Sequence, residues 1–232
     1  MAEIGDGYGS EWHLLRYLGR HRDDLDGRVI AEIAATSVRW RDFLFDPEKP
    51  RLDREWEGLD FLPERHPALL AWAQHWPQSG TQQNWDAVGR AKIDGTDEWL
   101  LVEAKAHLGE LTSRCGAKES GGLPKIRKAL ENLKRSLGAA DDRDWLNGYY
   151  QFANRLAVLD FLTQNGIPAR LLFIYFLGDK RDGDVRCPKC SEEWQETLSH
   201  QDQWLGLKAD HRLAKRIHKI FLPVLGTNPV PA

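Results

Sequence analysis

The chain is poor in cysteine, with three in 232 residues, at positions 115, 187 and 190. Three thiols cannot build a disulfide framework, which argues against a stapled secreted scaffold and for a reducing cytoplasm. No apolar run reaches the roughly 18 residues that a membrane-crossing helix needs, so no membrane partner is expected. The opening stretch, MAEIGDGYGSE, is polar and acidic and lacks a signal-peptide pattern. A net charge of −3 excludes an overall basic coat, so any contact with nucleic acid has to be local. Internal repeats and low-complexity linkers are absent, as is a recognition helix or other sequence-reading motif. With 41% hydrophobic and 29% charged residues, the chain can bury a full core as one domain spanning 1–232.

Most of the chemistry lies between residues 84 and 107, NWDAVGRAKIDGTDEWLLVEAKAH. The apolar run WLLVEAKA reads as a buried strand. A strand alternates faces, so Leu101, Glu103 and Lys105 point one way and Leu100, Val102 and Ala104 the other. A carboxylate and an ammonium thus project side by side from a strand that otherwise looks like core. Burying such charges is costly unless they are paired or bind a metal.

The preceding segment, WDAVGRAKI, reads as a second strand, and Asp94-Gly95 as a hairpin turn. A fold about Asp94/Gly95 sets Asp86 opposite Glu103; a fold about Gly95/Thr96 sets it opposite Lys105. In either register two carboxylates and a lysine converge. Such carboxylates form a hard-oxygen site suited to Mg²⁺ or Mn²⁺. A lysine beside them can orient a water or offset charge on a phosphate. The plainer alternative is a structural ion pair between Glu103 and Lys105.

This Asp…Glu-x-Lys arrangement resembles the PD-(D/E)XK nuclease superfamily. The acid is Asp86, in Asn-Trp-Asp rather than Pro-Asp, and the second half is Glu103-Ala104-Lys105. The resemblance implies an α/β (α+β) fold, a central mixed β-sheet flanked by helices. This would be a restriction-endonuclease-like core with extra N- and C-terminal helices. It implies a metal-dependent nuclease acting on nucleic acid, with DNA the expected substrate. Asp86, Glu103 and the Ala104 carbonyl would hold Mg²⁺ or Mn²⁺, and Lys105 would position the attacking water. Some branches carry a glutamine on a later helix near the site, a place that Gln151 fits. An upstream glutamate on the first helix is also implied, and Glu11 fits that place, although a first-turn glutamate also favours the helix dipole. Restriction-type members often pair up, so a homodimer is compatible with the resemblance. The rival function is an inactive module of the same fold that binds nucleic acid or a partner protein.

The other elements agree with this order. Residues 1–76 read as an N-terminal helical region, with helices over Ser10–Arg22 (capped by Ser10), Asp26–Ala35 and His66–Trp76 and a long charged loop or short irregular elements over 46–64. Residues 77–178 form the nuclease-like core. There Pro124–Leu137 and Trp145–Asn165 read as helices, and Ala169–Leu177, ARLLFIYFL, as a central strand covered on both faces. Residues 179–232 read as a C-terminal helical extension, with two helices between Glu192 and Phe221 and a loose tail. On the Trp145–Asn165 helix, Gln151 and Arg155 share a face. With Asn154 they are candidates for holding a phosphate or water, against the plainer alternative of a solvated flank. Between Arg114 and Arg135 seven Lys or Arg stand against two Glu. In that patch Lys125, Arg127 and Lys128 are candidate backbone contacts. Lys208–Lys219 is also basic and reads as a solvated face. Cys187-Pro-Lys-Cys190 has zinc-knuckle spacing but lacks a second pair, which favours free thiols. Trp85 either packs in the core or lines the site.

Overall fold

A computed structural model describes residues 8–41, 44–45, 53–80, 82–181, 183 and 185–224. The expected loose tail and residues 46–52 of the expected loop lie outside this range. Two helices come first, α1 (Ser10–Arg20) and α2 (Arg22–Ile33), then the strands β1 (Ser37–Trp40), β2 (Leu44–Phe45), β3 (Asp53–Arg54) and β4 (Trp56–Glu57). Next are α3 (Pro67–His75), β5 (Asn84–Trp85), β6 (Ala87–Ile93) and β7 (Thr96–Lys105). Helices α4 (Leu123–Leu137) and α5 (Tyr150–Gln164), strand β8 (Ala169–Leu177), α6 (Ser191–Leu205) and β9 (Ile217–Pro223) complete the chain.

The central sheet is mixed and five-stranded, in the order β1-β6-β7-β8-β9. Pairing is antiparallel from β1 to β7 and parallel from β7 to β9. Helices cover both faces, the architecture expected from the sequence. The alternation of β7 divides the core in two. Leu100, Val102 and Ala104 pack with Leu14, Tyr17, Leu25 and Val29 of α1 and α2. Leu101, with Phe173 and Tyr175 of β8, packs against α3 to α6. Glu103 and Lys105 therefore point into the second layer, beneath α5.

Several boundaries differ from expectation. Ser10 is the first residue of α1 and makes no capping bond; Gly9 is the cap position. The second helix begins at Arg22, four residues before Asp26. The expected Trp145–Asn165 helix begins only at Tyr150. Ahead of it the chain is held in another shape, because the amides of Ser113 and Cys115 donate to the Gly148 and Leu146 carbonyls, both at 2.7 Å. The Trp145 indole is also fixed elsewhere, donating to the Leu205 carbonyl at 2.9 Å.

The largest correction concerns the C-terminal region, where the second expected helix is strand β9, preceded by a short 3₁₀ turn at Ala214–Arg216. β-branched Ile217 and Ile220 suit a strand, and β9 pairs with the otherwise free edge of β8. Residues 179–232 are thus not a purely helical extension. The N-terminal region likewise supplies β1 to the same sheet.

Candidate active-site cleft

Two local events place the acidic residues. The first is the turn at Asp94-Gly95, with φ of 49° and 79°. Both values are left-handed, as a type I′ hairpin turn requires, and Asp-Gly is a preferred pair for it. The turn fixes the register. Ile93 faces Thr96 and Ala87 faces Val102, so Asp86 falls at the level of Glu103. This is the first of the two registers the sequence allows.

The second event is a departure from the sheet. Before Asp86 the chain belongs to β5, which pairs with β4, Trp85 opposite Trp56. Beyond Val102, β7 therefore lacks a β6 ladder partner, and the Asp86 side chain takes that place. The Ala104 N–H donates to Asp86 Oδ2 at 2.6 Å. A strand amide without a ladder partner needs an acceptor, and an aspartate is short enough to fold back to it. Along a strand, one residue's N–H and C=O point to the same side. The Ala104 carbonyl therefore opens toward Asp86 as well.

Glu103 is 3% exposed and Lys105 8% exposed. Lys105 Nζ donates to Glu103 Oε1. Arg155, buried on α5, reaches Glu103 Oε2 through Nε at 2.8 Å and Nη2 at 2.7 Å. Its Nη2 also donates to the Asn84 carbonyl at 2.6 Å, and its Nη1 to Asn154 Oδ1 at 2.7 Å. The guanidinium lies 5.0 Å from the centre of the Trp85 ring. Trp85 is fully buried, its indole N–H donating to the Gly58 carbonyl at 2.9 Å, so it is a packing residue.

The two acids titrate in opposite directions. Burial alone would push the Glu103 carboxyl up, but Arg155 and Lys105 hold it below the usual range. Burial and the neighbouring Glu103 charge raise Asp86 well above that range; Lys105 and the Ala104 N–H offset this only in part. The Glu103 charge disfavours ionised Asp86, a repulsion that a hard divalent cation between them would relieve. The donor set is two carboxylates and a main-chain carbonyl. Among the described residues, no three or more His, Cys, Asp or Glu side chains form a metal-binding group. A donor set this small would suit only an ion that keeps several waters and takes one or two carboxylates, as Mg²⁺ does.

These residues line one wall of a cleft of about 930 Å³. Gln151, Asn154 and Arg155 line it too, so the three α5 candidates do converge on the acids. Gln151 is half-buried, its N–H donating to Ser113 Oγ at 2.7 Å. Arg155 and Asn154 are engaged with protein groups, so they support Glu103 rather than stand free for a phosphate.

Other candidates are not brought in. Glu11 is exposed and lines an adjoining depression, with Trp12 and Leu15, that shares Ser10 and Glu110 with the cleft. It is a first-turn residue of α1, not part of the cleft. Lys125, Arg127 and Lys128 also lie outside the cleft. Lys125 Nζ donates to the Ala73 carbonyl at 3.1 Å, and Arg127 pairs with Glu119. α4 turns its apolar stripe inward, which sends these cations outward. Cys187 and Cys190 are free thiols, and no third ligand joins them among the described residues.

Four further charged residues line the cleft: Glu55, Glu110, Arg114 and Lys118. Glu110 Oε2 accepts from the Ala106 N–H at 2.8 Å, and its Oε1 lies 3.1 Å from His107 Nε2. Its closeness in sequence to the end of β7 was the available signal. Arg114 and Lys118 follow β7 within the basic stretch, in a glycine- and serine-rich loop, and have no ion-pair partner among the described residues. Glu55 sits in the charged segment before β4 and carried no signal.

No protein-family model, curated protein or solved structure matches this chain.

Proposed function

We propose that the protein is a metal-dependent phosphodiesterase of the PD-(D/E)XK type that hydrolyses nucleic acid, DNA being the expected substrate. One observation carries the reading. Asp86, Glu103 and Lys105 converge on the wall of a cleft that also presents Arg114 and Lys118, which have no ion-pair partner among the described residues.

In this reading Asp86 and Glu103 hold Mg²⁺ or Mn²⁺ with help from the Ala104 carbonyl. Such an ion, when bound, lowers the pKa of a water and offsets charge on the phosphoryl oxygens. Lys105 orients the attacking water and stabilises the negative charge that grows on the phosphate. Arg155 keeps Glu103 ionised and fixes its direction. Gln151 stands at the cleft wall, where it can hold the water or a phosphate oxygen. Arg114 and Lys118 contact flanking phosphates, which supply most of the affinity and no sequence information. The free thiols fit a reducing compartment such as the cytoplasm.

A second reading has one observation in its favour. Both oxygens of Glu103 are already paired with cations, Lys105 and Arg155. An inactive module of the same fold, binding nucleic acid or a partner protein, would look the same. Turnover separates the two. The protein is incubated with plasmid DNA, single-stranded DNA and RNA, with Mg²⁺, Mn²⁺ or EDTA. Metal-dependent cleavage is expected, abolished in Lys105→Ala while nucleic-acid binding persists. A Lys105→Ala variant that cleaves like its parent would remove the mechanism.

A further inference from the structure

Against the Glu103–Lys105 pair, and sharing it with the cleft, lies a second, much smaller space. It measures about 10 Å³. One water requires on the order of 10–15 Å³ of such space. Its polar wall comprises Glu103, Lys105, Gln151, Tyr175 and Gln201; the rest is apolar. Glu103, Lys105 and Gln151 also line the cleft, so the two spaces share a partition.

Two of these groups carry a polar atom with no hydrogen-bond partner among the described residues. Tyr175 is fully buried on β8, and its hydroxyl has no hydrogen-bond partner. Gln201 is 1% exposed on α6, and its Nε2 has none either. Buried polar atoms are nearly always satisfied by protein or by ordered water. An apolar gap of this size would stay dry, but this one is polar on several sides. Its polar groups are also complementary. The Tyr175 O–H and the Gln201 N–H are donors in search of an acceptor; the Glu103 carboxylate and the Gln151 side-chain oxygen can accept.

We propose that Tyr175 and Gln201 hold one ordered water against Glu103, and that Gln201 is a positioning residue for the Glu103–Lys105 pair. The water accepts from the Tyr175 hydroxyl and from Gln201 Nε2, and donates to Glu103 and to Gln151. These four bonds match what buried waters make. The consequence is architectural. Helix α6, which contributes nothing to the cleft wall, becomes a support of the acidic site. Glu103 is then fixed from three directions: by Lys105, by Arg155 and by the water. The water itself rests on geometry alone, whereas a positioning role in catalysis rests on the proposed nuclease reading.

The test has two arms so that each can fail separately. The first is hydration. In isotope-labelled protein, cross-relaxation between a long-lived water and the Gln201 side-chain N–H is expected, and it is lost in Tyr175→Phe together with one slowly exchanging water. Absence of any water contact at Gln201 in the parent protein overturns the proposal. The second is kinetic. In Gln201→Met, kcat should fall by about tenfold or more with KM unchanged, as for other groups that orient a ligand from behind. Gln201→Asn, which keeps the N–H donor, should recover most of it. Tyr175→Phe, a smaller change, reports the same loss if Gln201→Met does not fold. A folded Gln201→Met with parental kcat refutes the positioning role. If the parent cleaves nothing, the nuclease reading falls, and the hydration arm still decides the water.

Discussion

Arg155→Met tests the electrostatics of the site without reference to activity. In the folded protein Arg155 gives one hydrogen bond to Glu103 Oε2 from Nε and an ion-pair contact from Nη2, one hydrogen bond to the Asn84 carbonyl and one to Asn154 Oδ1. Methionine matches the apolar stem and removes all four. Lys105 then remains as the only cation on a carboxylate that is 3% exposed. Removing one partner of a buried ion pair costs about 3–5 kcal/mol, because the other charge is left uncompensated. The Asn84 carbonyl lines the cleft, where water can replace the lost donor, so it adds little. A loss of about 3–5 kcal/mol in urea unfolding at neutral pH is therefore expected.

The pH dependence should change with it. Glu103 is held below its ordinary value of 4.5 in the folded state. Its ionisation thus stabilises the parent above that pH, and the stability is lost as pH falls through the lower folded value. Without Arg155, burial dominates and the carboxyl rises. The Glu103 contribution should then reverse sign, so that the variant loses stability more steeply than the parent as pH increases above 4.5. A single variant within about 0.5 kcal/mol of the parent, the range of ordinary surface changes, would refute the claim that Arg155 neutralises Glu103.

Other perturbations have equally definite outcomes. Asp86 is raised well above its ordinary value of 3.8, so in EDTA the parent should lose stability as pH increases from there through the folded value. Asp86→Asn, whose amide oxygen can still accept from Ala104, should flatten that slope and raise the urea midpoint at neutral pH; an unchanged profile would contradict the raised carboxyl. Arg114→Ala with Lys118→Ala should weaken binding to duplex DNA and reduce the salt slope by about 2, near 0.9 for each phosphate no longer neutralised. An unaltered slope, measured by titration at several salt concentrations, would place the phosphates elsewhere. Gly95→Ala should cost roughly 1–2 kcal/mol by thermal unfolding, because a φ of 79° is left-handed and penalises a β-carbon. Gly122→Ala should destabilise by about 1–3 kcal/mol, since its β-carbon would come within 2.8 Å of the Pro77 ring.

The amino-acid pattern alone determined the hairpin and the central strand. Asp94-Gly95 selects the tight turn, period-2 alternation selects the faces of β7, and the unbroken apolar run of Ala169–Leu177 has only a two-sided burial to satisfy. These are local or near-local effects, and they were sufficient to bring Asp86 level with Glu103 or Lys105, the structure selecting Glu103, and to set Gln151 and Arg155 on one helix face. Tertiary structure decided the rest. Whether Ile217–Pro223 coils or extends depends on the open edge of β8, a partner more than forty residues away in the chain for every pair. Arg155 could have faced solvent or substrate; it turned inward because a buried carboxylate on β7 needed a cation. Lys125, Arg127 and Lys128 turned outward because the apolar stripe of α4 claimed the inner face. Their place at the cleft went to Arg114 and Lys118, on a loop whose path is set by backbone bonds to residues 146 and 148. Gln201 was invisible as part of the site, because a polar residue on an amphipathic helix reads as solvated until the packing of that helix buries it. Side chains two or four apart announce themselves through periodicity. Those that meet across the fold do so only through the packing of elements whose contact no local pattern encodes.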